Sequence, residues 1–407
     1  MISIPQIDLS KYKYVLPKEK IAEVPLMNRD GSKLLVSKKS NAIQEELIDH
    51  SLFRNISEYL PDNSLIFIND TKVLPARLLM QKETGGRAEL FLLEPISPSS
   101  DPQIILNTKN NCRWECMVGG KKIKEQSKLV LHDSNLTFEA EIVSKNGNIA
   151  LCDFFWENGK TFGEMLEEIG KIPLPPYIKR ELTNEDKINY QTVYSQYKGS
   201  VAAPTAGLHF TDDILESLKL NNEILNLTLH VGAGTFLPIS SENINEHLMH
   251  KEQIFIKKDR IKSIINYLKK YDNVIATGTT SVRTLESLYW LGKRMYYKDF
   301  TLSVSQWEPY DNQFENISVI KSLSMILEYM DKNEIGVLNF NTDIIIVPSY
   351  EFKIIKGMIT NFHQPESTLI LLVAAFLGYD LWKKVYSEAL NNDYRFLSYG
   401  DSSLLLS

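Results

Sequence analysis

Leu65-Ile-Phe-Ile68, Ala76-Arg-Leu-Leu-Met80, Ala88-Glu-Leu-Phe-Leu-Leu93, Trp114-Glu-Cys-Met-Val118, Lys128-Leu-Val-Leu131, Leu136 to Val143 and Ile149 to Phe155 follow one another as short β-type runs. Gly, Asn, Ser and Pro turns part them at roughly 8–20 residue spacing, the rhythm of a small closed β-barrel. Outside this stretch the texture differs. From Thr161 onward, buried strand-like runs (Ile224 to Leu229, Asn273-Val-Ile-Ala276, Asp343-Ile-Ile-Ile-Val347, Met358-Ile-Thr360) are each followed by a helical pattern. That alternation predicts an α/β layer structure. Upstream lie a short strand, Lys33-Leu-Leu-Val36, and an amphipathic stretch that predicts a helix from about Leu52 to Leu60. The expected fold is a layered α/β domain interrupted by an inserted small antiparallel β-barrel. Its division places 1–69 and 158–407 in a discontinuous α/β domain and 70–157 in the barrel. The stretch from Tyr296 to Asn341 lacks clear alternation and reads as an added helical or loop excursion.

Composition narrows the function classes. The 407 residues are 43% hydrophobic and 24% charged, which excludes wholesale disorder and collagen-like repeats. No apolar run approaches the ~18–20 residues of a membrane span, and no secretory signal is read at the N-terminus. Cys112, Cys116 and Cys152 are too few for a disulfide framework, so a reducing, cytoplasmic setting is expected. A net charge of −6 gives no global field for nucleic acid, so a polyanion would have to be met by local patches.

Polar and special residues crowd five segments. In Gly199 to Thr211, small residues allow close backbone approach, and His209 precedes the cap Thr211-Asp212-Asp213. In Leu227 to Pro238 a strand ends at His230, and Gly232-Ala-Gly234 opens a turn whose N–H groups suit an anion or a purine edge. His247, His250 and Glu252 invite a zinc reading, but their spacing does not put all three on one helix face. Val274 to Glu286 runs strand, Gly278, then Thr279, Thr280 and Ser281 opening a helix with Arg283, an arrangement for a carboxylate or phosphate. Finally, Asn361 and His363 pair with the segment Tyr394 to Asp401. A Walker loop, a dinucleotide fingerprint and a Gly-x-Ser-x-Gly elbow are all missing. Cys112-x3-Cys116 lacks a second ligand pair, and Trp114 and Trp307 read as packing residues.

In this order the segments resemble one family, the S-adenosylmethionine:tRNA ribosyltransferase-isomerases of queuosine biosynthesis. Carrying stretches include Arg29-Asp-Gly-Ser-Lys-Leu-Leu35, Asn69-Asp-Thr-Lys-Val-Leu-Pro-Ala-Arg-Leu78 and Tyr190-Gln-Thr-Val-Tyr194. They continue through Ala202-Ala-Pro-Thr-Ala-Gly-Leu-His-Phe210, Leu229 to Phe236, Gly278 to Glu286, Asn361-Phe-His363 and Tyr394 to Asp401. The resemblance implies an α/β domain with an inserted barrel and S-adenosyl-L-methionine as ribosyl donor. It implies a tRNA acceptor with 7-aminomethyl-7-deazaguanine in the anticodon, and neither metal nor membrane. A monomer is expected.

That chemistry needs a base for an acidified C5′ proton, a proton for departing adenine and a holder for the methionine carboxylate. The expected acid–base groups are His209, His230 and His363, with Asp401 orienting an imidazole or accepting from the deazaguanine. Thr205, Gly207, Gly232, Gly234, Thr279, Thr280 and Arg283 are expected at the donor, and Tyr194, Asn361 and Arg395 at the acceptor. The chain departs from the family pattern at Lys33, Lys72, Pro348-Ser349, Gln364, Glu366 and Ser402-Ser403, and it reads as longer than usual around 296–341. Those beside His363 raise a paralogue with another acceptor as the alternative.

Overall fold

Every residue of Leu65–Asn69, Val274–Thr277 and Gly357–Asn361 is buried in the computed structural model, which describes residues 4–39, 47–131, 137–232 and 243–407. Burial on both faces is what an interior strand between two helical layers requires. The strands, in chain order, are β1 (Lys33–Lys38), β2 (Leu47–Leu52), β3 (Leu65–Asn69), β4 (Thr71–Val73), β5 (Arg77–Lys82), β6 (Arg87–Ser97), β7 (Asn111–Gly119), β8 (Lys128–Val130) and β9 (Phe138–Asn146). They continue as β10 (Ile149–Trp156), β11 (Tyr197–Ser200), β12 (Glu223–His230), β13 (Glu252–Lys257), β14 (Val274–Thr277), β15 (Ser303–Val304), β16 (Val337–Thr342), β17 (Gly357–Asn361) and β18 (Ser402–Leu406). The helices are α1 (Pro102–Ile105), α2 (Phe162–Ile169), α3 (Asp186–Asn189), α4 (Asp212–Lys219), α5 (Lys258–Leu268), α6 (Thr279–Tyr296), α7 (Val319–Lys332), α8 (Thr368–Leu377) and α9 (Tyr379–Asn391).

One ten-stranded sheet runs β15-β16-β13-β12-β3-β14-β17-β18-β1-β2. Its centre, β12-β3-β14-β17, is parallel, with registers such as Phe67 against Leu225 and Ala276. Alternate residues of β3 face opposite layers. Leu65 and Phe67 join a core with α5 to α9, while Ile66 and Ile68 pack with Phe53, Ile214 and Leu218 on the other side. This three-layer arrangement is the α/β architecture expected.

Strands β10-β7-β6-β5-β8-β9 close an antiparallel barrel. Inward residues alternate along β7, where Cys112, Trp114 and Cys116 are buried. Phe162 of α2 enters the barrel core against Trp114, Phe138, Phe154 and Trp156. A capping box starts that helix: Thr161 Oγ1 accepts from Glu164 N, and Glu164 accepts from Thr161 N at 2.7 Å. The chain leaves the central sheet at the C-terminal end of β3, so the barrel departs from the edge where the other parallel strands also end.

Three local expectations need correction. Leu52 to Leu60 is no α-helix; β2 ends at Leu52 and a 3-10 helix covers Phe53–Glu58. Its buried residues, Phe53 and Ile56, are three apart, which is the 3-10 period. Ile344 to Val347 are buried, with Asp343 half-buried, but the run is unpaired as a strand, and the neighbouring strand is β16. An apolar run reports burial and leaves ladder pairing open. The stretch 296–341 is more than helix and loop, since β15 and β16 extend the main sheet. There α7 packs so closely on α6 that a Cβ at Gly292 would overlap Ser322, whose hydroxyl donates to the Tyr289 carbonyl at 2.6 Å.

Candidate active site

The parallel strands β12, β14 and β17 end at one edge, and residues at or just beyond their ends line a common cavity: Val231, Gly278, and Thr360 to Asn361 with His363. This is where open α/β sheets bind ligands, because loops and helix starts gather beyond the carboxyl ends. Pro204, Thr205 and Ala206 form another wall, on a turn held by a bond from Gly207 N to the Pro204 carbonyl at 2.8 Å. Tyr177, Leu397 and Ser398 complete it. The cavity is a cleft partly open to solvent.

Its electrostatics come from backbone. Gly278 joins β14 to α6 at φ 88° and ψ 147°, a conformation side-chain-bearing residues avoid. Thr279 and Thr280 are the first residues of α6 and line the cavity. No side chain caps that helix and no acid lies in its first turn. The start of α8 has the same character: Ser367, at its N-cap, lines the cavity, and its hydroxyl donates to the Gln364 carbonyl at 2.8 Å instead of capping. Each helix start leaves N–H groups without intrahelical partners and carries ~+0.5 elementary charge. Among the described lining residues there is no Asp, Glu, Lys or Arg. Two uncapped helix starts thus aim at a wall free of compensating acids, which suits an anion.

Three histidines sit near this edge with different surroundings. His363 lines the cavity and is half-buried. Its Nε2 is 3.0 Å from Thr360 Oγ1, and its carbonyl accepts from Tyr14 OH. Burial lowers its pKa to about 4, so the imidazole is neutral near pH 7. His209 is fully enclosed, with Nδ1 2.9 Å from Ser32 Oγ and Nε2 3.2 Å from Asn361 Nδ2. Burial, then the charges of Arg395 and Arg29, lower its pKa to about 3. His230 ends β12, with Nδ1 3.2 Å from Thr71 Oγ1 and its ring against Phe255; burial lowers its pKa to about 4.

Of the residues expected at the site, Thr205, Thr279, Thr280, Asn361 and His363 share the cavity wall. Others lie off it. Arg283 is buried against Glu252, Nη1 to Oε2 3.2 Å, and its Nε donates to the Ile344 carbonyl at 3.0 Å. That contact is close enough for ion pairing without hydrogen-bond alignment. Asp401 is committed to backbone, accepting from Lys33 N at 3.0 Å and Arg395 N at 2.7 Å. It clamps the 395–401 loop to β1, and the Arg395 guanidinium stands 3.5 Å away. Gly207 is a packing glycine, where a Cβ would overlap the Tyr194 hydroxyl. Gly232 follows the lining residue Val231, and Gly234 lies outside the described residues. His247 and His250 sit on no helix, and among the described residues no cluster of three or more His, Cys, Asp or Glu is arranged to hold a metal.

The queuosine biosynthesis protein family matches residues 9–405. The chain belongs to this family. Members similar to it include the S-adenosylmethionine:tRNA ribosyltransferase-isomerases of Thermoanaerobacter sp. (strain X514), 37% identical over 400 residues, and Thermosipho africanus, 38% over 402. Each alignment covers 98% of this chain and 99% of the relative. A solved structure, the S-adenosylmethionine tRNA ribosyltransferase of Thermotoga maritima, is 27% identical and covers 97% of this chain and 100% of its own, with a TM-score of 0.47.

The chain's departures from the family pattern fall in distinct places. Gln364 is on the cavity wall, whereas Glu366 is exposed and pairs with Lys13. Ser403 is buried and donates to the Thr360 carbonyl at 3.0 Å. Sequence reasoning assigned no role to Tyr177, Ser367 and Ser398. A signal existed for Ser367, which immediately precedes the apolar run Thr368–Leu377 as an N-cap would. Tyr177 and Ser398, whose hydroxyls are 2.6 Å apart, meet only through the tertiary fold.

Proposed function

We propose that this cavity binds the donor, and that the chain moves the donor's ribosyl group onto 7-aminomethyl-7-deazaguanine at the tRNA wobble position. Adenine and methionine leave, and the rearranged ribose becomes the epoxycyclopentanediol of epoxyqueuosine. Family membership makes the chain an S-adenosylmethionine:tRNA ribosyltransferase-isomerase with S-adenosylmethionine as co-substrate and tRNA as acceptor. The acceptor base, the product and the residue roles are the finer part of the reading. So are a single-chain working unit, a cytoplasmic setting and a barrel at 70–157 inserted between 1–69 and 158–407. No helix among the described residues is long and apolar enough to cross a membrane.

The observation that carries the reading is the meeting of two uncapped helix starts with a neutral imidazole in one cavity. The starts of α6 and α8 hold the methionine carboxylate, the role expected of Arg283. Thr205, Thr279 and Thr280 offer hydroxyls beside them. Because the sulfonium acidifies the C5′ protons, a neutral base can take one. In this reading His363 takes that role, supported by its ring bordering the cavity with Nε2 against Thr360. Such a base contributes ~10²–10⁴-fold. His209, enclosed and bonded through both ring nitrogens, cannot reach a substrate proton.

Incubation with S-adenosylmethionine and tRNA bearing the aminomethyl base should yield epoxyqueuosine by nucleoside mass, with one adenine released per product. Adenine release with another tRNA nucleoside would move the acceptor, and no turnover with either would overturn the reading.

A further inference from the structure

Among the described residues that line the cavity, Asn361 alone carries a buried side-chain acceptor without a partner. The residue is 2% exposed, and both amide hydrogens are used, one toward His209 Nε2 at 3.2 Å and one toward the Leu397 carbonyl at 3.1 Å. A flipped amide would set oxygen against the Leu397 carbonyl, so the nitrogen must be where it is. Because an amide N–H only donates, Nε2 of His209 must accept, and the neutral ring's proton is on Nδ1, donated to Ser32 Oγ at 2.9 Å. The Asn361 Oδ1 is left buried with no partner. A buried acceptor without a partner is destabilising until a ligand donates to it.

We infer that His209 is a positioning residue that locks the Asn361 amide so that its Oδ1 accepts from the α-ammonium of the donor's amino-acid end. This rests on the cavity being the donor site and goes beyond it by naming the group read there. The choice of ligand group follows from charge and spacing. The starts of α6 and α8 call for an anion, and Asn361 Oδ1 calls for an N–H in the same cavity. A phosphate has no N–H, and a nucleobase has no anion. An α-amino acid carries both on neighbouring atoms, and Tyr177, Leu369 and Leu397 give apolar surface for its methylenes.

The test uses the whole chain, isothermal titration calorimetry and four probes. These are S-adenosylhomocysteine, its analogue without the α-amino group (5′-S-(3-carboxypropyl)-5′-thioadenosine), 5′-methylthioadenosine and S-inosylhomocysteine. The wild-type chain should bind S-adenosylhomocysteine at least 10-fold more tightly than the des-amino analogue. Asn361→Leu should abolish that preference while holding the des-amino analogue within about 2-fold of wild type. His209→Leu should behave like Asn361→Leu, and His209→Gln, which restores an acceptor at the imidazole Nε2 position, should recover the preference. A merely structural histidine would weaken all probes together, and that result overturns the assignment. So does an amino-group preference that survives in Asn361→Leu, or a loss confined to the adenine–hypoxanthine discrimination. If 5′-methylthioadenosine binds the wild-type chain as tightly as S-adenosylhomocysteine, or no probe binds, the donor-site reading itself fails. His209→Gln with Asn361→Leu decides the matter if His209→Leu does not fold, as judged by circular dichroism.

Discussion

His209 Nε2 lies 3.2 Å from Asn361 Nδ2, joining a turn before α4 to the last residue of β17. The imidazole read from sequence as a substrate base therefore sits behind the wall and faces a side chain that lines it. This bond requires a neutral ring, and burial enforces that by lowering the pKa to about 3.

The pH dependence of stability follows from that shift. An unfolded histidine titrates near 6.5, so below that pH the unfolded chain takes up a proton that native His209 refuses. Its contribution is fully present above the unfolded value and is lost as pH falls toward about 3. The slope it adds is at most ~1.4 kcal/mol per pH unit. Urea unfolding at pH 7, 6 and 5 should show a shallower decline for His209→Gln than for wild type. Identical slopes would mean that His209 is not held neutral.

Arg283 and Glu252 form a buried pair, with side chains 4% and 1% exposed. Removing one partner strands the other's charge, so Glu252→Gln or Arg283→Met should each cost ~3–5 kcal/mol. The double variant should cost clearly less than the sum, because neither charge is then left unpaired. Additive losses would show that the pair is not coupled. Donor KM of the folded Arg283→Met chain should stay near wild type, whereas a large rise would return Arg283 to the carboxylate.

Ser349 adopts φ 92° in a turn closed by Tyr350 N donating to the Val347 carbonyl at 3.0 Å. With Pro348 ahead of it, this is the turn position that favours glycine, and a serine there is strained. Ser349→Gly should raise stability by ~0.5–1 kcal/mol, the strain relieved less glycine's entropy cost. An unchanged urea midpoint would deny the strain.

Much of the fold was legible because its signals are local. Alternation along β7 and uniformly apolar runs such as Leu65 to Ile68 report burial on one face or two, whatever the rest of the chain does. Asp343 to Val347 carried the same apolar signal without strand pairing, since packing over a core and joining a ladder look alike in sequence. The site was legible where a residue's task is set by its own segment. Gly278 with Thr279 and Thr280 is such a case, because a strand, a glycine and a hydroxyl pair announce a helix start. Arg283 and Asp401 misled because their partners, Glu252 and the Lys33 and Arg395 amides, come from remote elements. Asn361 was found as a polar residue, but which of its atoms is free depends on His209 and Leu397 together.

The proton-abstracting role of His363 is tested most directly by single-turnover adenine release, with saturating S-adenosylmethionine and tRNA carrying the aminomethyl base. Replacing His363 by Ala should slow release by ~10²–10⁴-fold. Because burial lowers the imidazole's pKa to about 4, the wild-type rate should show no loss from pH 8 down to about 5.5 through this group. A His363→Ala chain that releases adenine at the wild-type rate would contradict the placement of the chemistry in this cavity.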